Sequence, residues 1–303
     1  MRYLLTAASV ALFTTPAVAL EFSKTAVETT LTQSSSDGVT ENVFSIQGKA
    51  SFAHGLTFGE LSAGLVRQKL TAGPFEETAE ISTTSLVVGT SVSGIWDLYA
   101  RTSIINASLE DDFRDSATFW GLGAQINLRY GEYGFEFMTN SSGDRIYTAA
   151  ADVPISDTVD VYGYWRNLDD DDPVDTQYGV ILDVDRGPFS GTIGYMDLDE
   201  GDKLAGIDMS YDLSSRISAK ANLARFFVED PVTYVSVGLG YQLASNASIE
   251  ARIGQFRPHA GDNATTVGIA MRFDTYDSRR VIKRAEDNFS KISGSLFTNA
   301  ISF

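Results

Sequence analysis

The sequence has no cysteine, only two histidines and only seven prolines in 303 residues. Without cysteine there is no disulfide scaffold, no thiolate metal site and no cysteine nucleophile. Two histidines are too few for a histidine-rich metal site, so we expect no resident metal or cofactor. Basic residues number 23 against 40 acidic ones, and the formal net charge is −17. Because nucleic acids are bound by clustered Lys and Arg, this charge argues against a nucleic-acid partner.

Long apolar runs are missing after the first twenty residues. At the N-terminus, one arginine precedes an apolar stretch over residues 4–13, and Ala17 and Ala19 stand at the −3 and −1 positions of a cleavage site. This pattern predicts a secretory signal peptide over residues 1–19, with a buried N-terminal helix as the alternative. About ten apolar residues are too few to span a bilayer. We therefore expect an exported protein.

Beyond residue 20 the dominant pattern is alternation with period two. Trp120, Leu122 and Ile126 share one face of an extended segment, whereas Gly121 and Gln125 share the other. About sixteen such segments lie between residues 20 and 273, with no linker between them, which predicts one all-β domain. Aromatic residues cluster near the segment ends, as in the interfacial girdles of membrane barrels. The pattern favours a transmembrane antiparallel β-barrel over a soluble β-sandwich, which was the alternative.

The connections are predicted to alternate in length. Residues 131–132, 214–215 and 244–246 form tight turns, whereas residues 33–42, 71–78 and 106–116 contain longer polar stretches. Membrane barrels have short turns on one rim and longer loops on the other. The longer stretches are therefore interpreted as external loops.

Two strand–turn–strand units read as Tyr-x-Leu followed by small polar residues, at 211–218 and 241–248, and residues 265–273 alternate up to Phe273. In these features the chain resembles the general porins of Gram-negative outer membranes, particularly those of the alphaproteobacterial type. The resemblance implies a 16-stranded barrel in the cell outer membrane, surrounded by outer-membrane lipid. It also implies a homotrimer that passes small hydrophilic solutes and ions by passive diffusion. Thirty residues follow Phe273, and the third external loop is only eleven residues long, which departs from that family.

Charged residues suggest where ions would enter and pass. Acidic residues cluster in the predicted external loops, as at Glu110, Asp111 and Asp112, and they predict a mild cation preference with loosely bound Ca or Mg. The alternative is a solvated loop without function. Basic residues on polar strand faces are expected to face the lumen or the rims, because an Arg facing lipid at the midplane costs about 2–4 kcal/mol. These residues are Arg101, Arg129, Arg166, Lys220, Arg252 and Arg272. Lumen salt bridges that stiffen the wall are the alternative role.

Catalysis is not expected. His259 lies near Asp262, but no nucleophile stands at an informative spacing from them, and His54 falls in a turn at the opposite rim. The competing interpretation to a diffusion channel is a non-conducting barrel with a structural or adhesive role.

The C-terminal tail, residues 274–303, changes to a helical period. Ile282, Ala285 and Phe289 fall on one stripe, preceded by a basic cluster that includes Arg280 and Arg284. The tail is predicted to be a periplasmic amphipathic helix or a flexible extension that touches the barrel rim. A disordered tail without a role is the alternative.

Overall fold

The computed structural model describes residues 22–36, 38–109, 113–169, 175–199, 201–228, 230–259, 262–275 and 280–293. The predicted signal peptide lies outside the described residues and stays a prediction. Sixteen strands and one helix make up most of the described chain.

The strands and the helix follow one another without interruption by other elements. The first eight strands are β1 (Phe22–Ser36), β2 (Val39–His54), β3 (Thr57–Ala72), β4 (Phe75–Val92), β5 (Trp96–Leu109), β6 (Phe113–Leu128), β7 (Gly131–Asn140) and β8 (Arg145–Ser156). The next eight are β9 (Val159–Asp169), β10 (Asp175–Arg186), β11 (Phe189–Asp199), β12 (Asp202–Asp212), β13 (Ile217–Phe227), β14 (Val232–Ala244), β15 (Ala247–Pro258) and β16 (Ala264–Asp274). The helix is α1 (Val281–Ser293).

The sheet closes on itself. Each strand pairs antiparallel with its neighbours in the chain, and β1 pairs with β16 from Ala26 opposite Asp274 to Ser35 opposite Thr265. Closure leaves no strand edge with unpaired backbone groups, which is a condition for crossing lipid with strands. The predicted all-β fold, a barrel of sixteen antiparallel strands with a short C-terminal helix, is confirmed.

The apolar face of the alternating segments points outward. Leu122 on β6 and Leu239 on β14 are exposed by 68% and 59%, whereas Gln125 and Ser236 on the opposite faces of the same strands are buried. A soluble sandwich would bury the apolar set and leave the polar set in water. The outward-facing apolar surface therefore indicates a barrel that is surrounded by lipid.

The two rims differ less than predicted. We call the end where β1 begins and β16 ends the terminal rim, and the opposite end the distal rim. Residues 39–42, 75–78 and 106–109, which were interpreted as external loops, belong to strands instead. Strands β1 to β6 have 14 to 18 residues, more than the about 9–11 that cross a bilayer. Their polar distal parts extend beyond the apolar belt. The polar residues there indicate contact of a strand with water and not an irregular loop.

The depth of an outward-facing residue in the membrane determines the free-energy cost of placing a charge at that position. Leu239 lies mid-strand on the lipid face, so Leu239→Arg is expected to lower the free energy of unfolding in vesicles by about 2–4 kcal/mol. The matched control is Leu213→Arg in the turn after β12 at the terminal rim, with an expected loss of about 0–1 kcal/mol. Urea unfolding curves measure both. Equal losses would contradict a lipid-facing position for Leu239.

Candidate functional site: the lumen and its helix

Helix α1 lies inside the barrel. Its residues, together with Arg280 immediately before it, bond to side chains on β2, β3, β6, β7, β8, β9 and β13. Strands on such different sides of a closed barrel can be reached together only from the lumen. The predicted helix is confirmed, but its predicted position at the periplasmic rim is wrong. Within the described ranges, no helix is long and apolar enough to cross a membrane.

Arg280, immediately before α1, is held by two carboxylates of the wall. Its Nε donates to Glu60 on β3 at 3.0 Å and its Nη1 donates to Glu136 on β7 at 3.2 Å. Arg101 on β5 also donates to Glu136, at 2.8 Å. The side chains of Arg280, Glu60 and Glu136 are at most 5% exposed. Burial disfavours each of these charges, and the geometry offsets that cost by pairing them.

Further pairs fasten the rest of α1. Arg284 donates to Glu132 on β7 and, at 3.1 Å, to Asp152 on β8. Glu286 accepts from Arg166 on β9 at 2.7 Å. Lys49 on β2 donates to Asp287 at 2.9 Å. The helix is thus held by ion pairs on opposite sides of the lumen.

The same contacts resolve a local conflict in the helix. Arg280, Lys283 and Arg284 stand at its N-terminal end, where the helix dipole disfavours cations. The carboxylates of β3, β7 and β8 surround this end of the helix. Cations are therefore favoured there despite the helix dipole. The backbone N–H of Val281, one of the groups that a helix start leaves without an intrahelical partner, donates to Gln125 Oε1 at 2.8 Å. The wall therefore specifies where the helix begins.

The apolar side of α1 packs against the wall. Val281, Ile282 and Ala285 are buried together with apolar residues of β8 to β14, among them Ile181 and Met196. Gly134 on β7 allows this approach, because a Cβ there would lie 2.6 Å from Val281 Cγ1. The lumen is therefore partly filled, and the open polar lumen expected from the alternation is found only in part.

A polar cavity of about 660 Å³ remains beside α1. It lies between one side of the helix and the inner faces of β1, β2, β10 to β13, β15 and β16. On its wall Glu250 accepts from Lys220 and from Arg252, and Arg252 also donates to Asp208 at 3.2 Å. These pairs run across four neighbouring strands and hold a charged wall in a defined conformation.

The predicted site residues fall in different places. Arg101, Arg166, Lys220 and Arg252 face the lumen, and each is paired with a carboxylate. Arg272 bonds to Glu28 at 3.0 Å beside the cavity, whereas Arg129 is exposed in the turn after β6. The predicted acidic mouth, Glu110, Asp111 and Asp112, lies outside the described residues. His54 and His259 lie at opposite rims, as expected.

The wall carboxylates that receive α1 were missed. They include Glu60 on β3 and Glu132 and Glu136 on the inward face of β7. A signal existed, since a carboxylate inside a barrel requires a cation and the tail carries a basic cluster over residues 279–284. The residue spacing does not reveal that these charges meet, because they are up to 220 residues apart.

The barrel matches solved outer-membrane protein structures. OccK7 (OpdD) of Pseudomonas aeruginosa matches with a TM-score of 0.54 and 9% sequence identity, over 84% of this chain and 98% of that chain. OccK2 (OpdF) of the same organism, in complex with glucuronate, gives 0.54 and 10%, over 85% and 99%. OpdK with vanillate, also from that organism, gives 0.52 and 11%, over 84% and 99%. At this identity the likeness shows the fold.

A scan against protein-family models found no match, and neither did a search of curated protein sequences. Another matched structure is that of OpdK, described as an outer membrane protein. The closed barrel with its outward apolar belt is accordingly an outer-membrane β-barrel, as predicted. The general-porin type is not confirmed.

Removing Arg280 tests how α1 is held. Arg280→Ala leaves Glu60 and Glu136 buried without one of their cations, so we expect α1 docking to weaken by about 3–5 kcal/mol. Hydrogen–deuterium exchange of residues 281–293 measures it as lost protection. Lys291→Ala, at an exposed position of the same helix, is the control. Unchanged protection in Arg280→Ala would show that the apolar contacts alone hold the helix.

Acid should weaken the contacts of Asp287. Burial by itself would raise its pKa, but Lys283 and Lys49 outweigh this effect and lower the pKa from 3.8 to about 2. A carboxyl group with a lowered pKa stabilises docking above pH about 4 and loses this contribution as the pH falls towards 2. The exchange protection of α1 in the wild type should therefore exceed that of Asp287→Asn above pH about 4. The difference should shrink towards pH about 2; a constant difference would contradict the assignment.

Proposed function

We propose that the protein is an outer-membrane channel through which small hydrophilic solutes and ions diffuse passively, past a helix that narrows the lumen. The observation that carries the proposal is the polar cavity of about 660 Å³ beside α1. Its charged wall resembles an aqueous passage more than a packed core, and α1 occupies the opposite side of the lumen. No catalytic step is proposed.

A mild cation preference is part of the proposal. The acidic residues that line the cavity are Glu28, Asp183, Asp185, Asp208, Glu250, Asp274 and Asp287. The basic ones are Lys49, Lys220, Arg252, Arg272, Arg284 and Lys291. Among the described residues, no ion pair includes Asp183 or Asp185, so the small acidic excess is available to attract cations. Two of the similar structures are named with vanillate and glucuronate. These names support solutes of the size of small organic molecules for the proposed channel.

The homotrimer, the signal peptide and Ca or Mg at acidic external loops remain proposals of the same kind. They rest on the sequence resemblance to porins and on the acidic residues of the distal connections. The proposed lumen-facing role of Arg101, Arg166, Lys220, Arg252 and Arg272 is supported by their ion pairs, which suggest that they shape the passage as part of its wall.

A second candidate function is a non-conducting barrel with a structural or adhesive role. The observation in its favour is the apolar cluster around Ile181, Met196 and Leu204, which is fully buried against α1. If this packing closes the passage, the residual cavity is a pocket and not a path.

Conductance with a docked and with a loosened helix separates these functions. Arg280→Ala removes a cation from Glu60 and Glu136 and loosens the docking of α1. We expect single-channel steps from the wild type as well as from Arg280→Ala in planar bilayers, since solutes pass beside the docked α1. A KCl gradient should give a reversal potential that favours K⁺.

Three other results have defined meanings. Steps seen only in Arg280→Ala would mean that the path opens by displacement of α1. Anion preference would assign selectivity to the arginines of the wall. No steps from folded wild-type protein, and none from folded Arg280→Ala, would favour the non-conducting barrel.

A further inference from the structure

The outer surface of the barrel is not uniform at the distal edge of the apolar belt. On β9, β10 and β11 this edge carries the exposed aromatic residues Trp165, Tyr178 and Tyr195. Such residues form the aromatic girdle that membrane barrels place at the interface between lipid and water. On β3 to β6 the outward positions beyond the belt are polar or charged, and none of those described is aromatic. The girdle is therefore interrupted over four neighbouring strands.

A row of charged and polar residues, which we call the outer row, crosses this interruption. It consists of Arg67 on β3, Glu80 on β4, Ser108 on β5 and Arg114 on β6, each directly opposite the next in the register. Arg67 shares the face of β3 that carries the lipid-facing Leu61, so the row points outward. Neighbouring strands are about 4.8 Å apart, so the backbones of the two terminal arginines are separated by about 14 Å.

The outer row lines a polar depression of about 1110 Å³ on the outside of the barrel. Ser82, Asn106 and Ser116 form the next row towards the membrane centre and line the same depression. Asn106 donates to Ser82 Oγ at 3.2 Å. The depression thus offers a guanidinium group at each end and hydroxyl, amide and carboxylate groups between them.

The charges of the outer row are not consumed by ion pairs within the barrel. Beside the row, Lys69 pairs with Glu76 at 2.6 Å. Among the described residues, no ion pair includes Arg67, Glu80 or Arg114. The planar guanidinium group matches the geometry of phosphate, whereas carboxylate and amide oxygens accept hydrogen bonds from sugar hydroxyls. The two kinds of group alternate along one row.

The position of the depression restricts what can occupy it. Towards the membrane centre the same outward face continues with the exposed residues Leu86, Ile104 and Trp120, which belong to the apolar belt. The depression is therefore level with the lipid headgroups. A lipid bound there can place its headgroup in the depression and its acyl chains on the belt, whereas a water-soluble ligand would use only the polar part of this surface.

We propose that the outer row binds the headgroup of a phosphorylated glycolipid. Arg67 and Arg114 each bind one phosphate, and Glu80 and Asn106 accept hydrogen bonds from sugar hydroxyls between them. The separation of the two arginines suits phosphates at the two ends of a disaccharide. The carboxylate of Glu80 disfavours a headgroup that offers phosphate alone. Because the site lies on the outside of the barrel, the inference does not depend on the proposed channel function.

The experiment measures lipid binding to the full-length protein in detergent by native mass spectrometry. The probe is diphosphoryl lipid A, a disaccharide lipid with a phosphate at each end; monophosphoryl lipid A and phosphatidylglycerol are the comparisons. We expect the probe to bind at least about fivefold more tightly than either. Arg67→Gln and Arg114→Gln should each reduce its affinity at least about fivefold. Arg257→Gln, at an exposed outward position of β15, is the control and should change it less than about twofold.

A further variant separates the sugar contacts from the phosphate contacts. Glu80→Ala should weaken the binding of both forms of lipid A by a similar factor and should not weaken that of phosphatidylglycerol. A gain in affinity for all three lipids would instead mean that Glu80 acts only by repelling phosphate, and would refute the sugar contact.

Three results would overturn the proposal. Equal effects of Arg67→Gln and Arg257→Gln, or equal affinity for phosphatidylglycerol, would show that the attraction is not specific to the outer row. Absence of binding by protein that keeps its folded electrophoretic mobility would exclude the site. Oligomers that dissociate in Arg67→Gln, with unchanged lipid affinity, would assign the depression to contact with a second copy of this chain.

Discussion

Carboxylates inside a closed barrel need cations, and in this chain the C-terminal tail supplies many of them. Glu60, Glu136, Glu132 and Asp152 stand on three strands and meet Arg280 and Arg284 in the lumen. Leaving such buried acids without partners costs several kcal/mol, so the barrel and α1 stabilise each other. Because α1 follows β16, it can enter through the terminal rim, where the last strand ends. The residual cavity depends on this helix, because residues of α1 form one of its sides.

The outer surface was predictable from the sequence because one constraint acts on each strand separately. Lipid requires an apolar residue at every second position, and Trp120, Leu122 and Leu239 obey this rule without reference to distant residues. The helical stripe through Ile282 and Ala285 was predictable for the same reason, since it is a local period. Sixteen strands and one helix follow from such local patterns.

The interior was not predictable in this way. The position of α1 depends on ion pairs whose partners lie between 120 and 238 residues apart along the chain. Nothing in the residues near Arg280 indicates that Glu60 is its partner. Parts of the predicted external loops were wrong because local polarity was interpreted as the end of strand pairing. Residues 75–78 and 106–109 are polar because they rise above the lipid, although their backbone remains paired in β4 and β5.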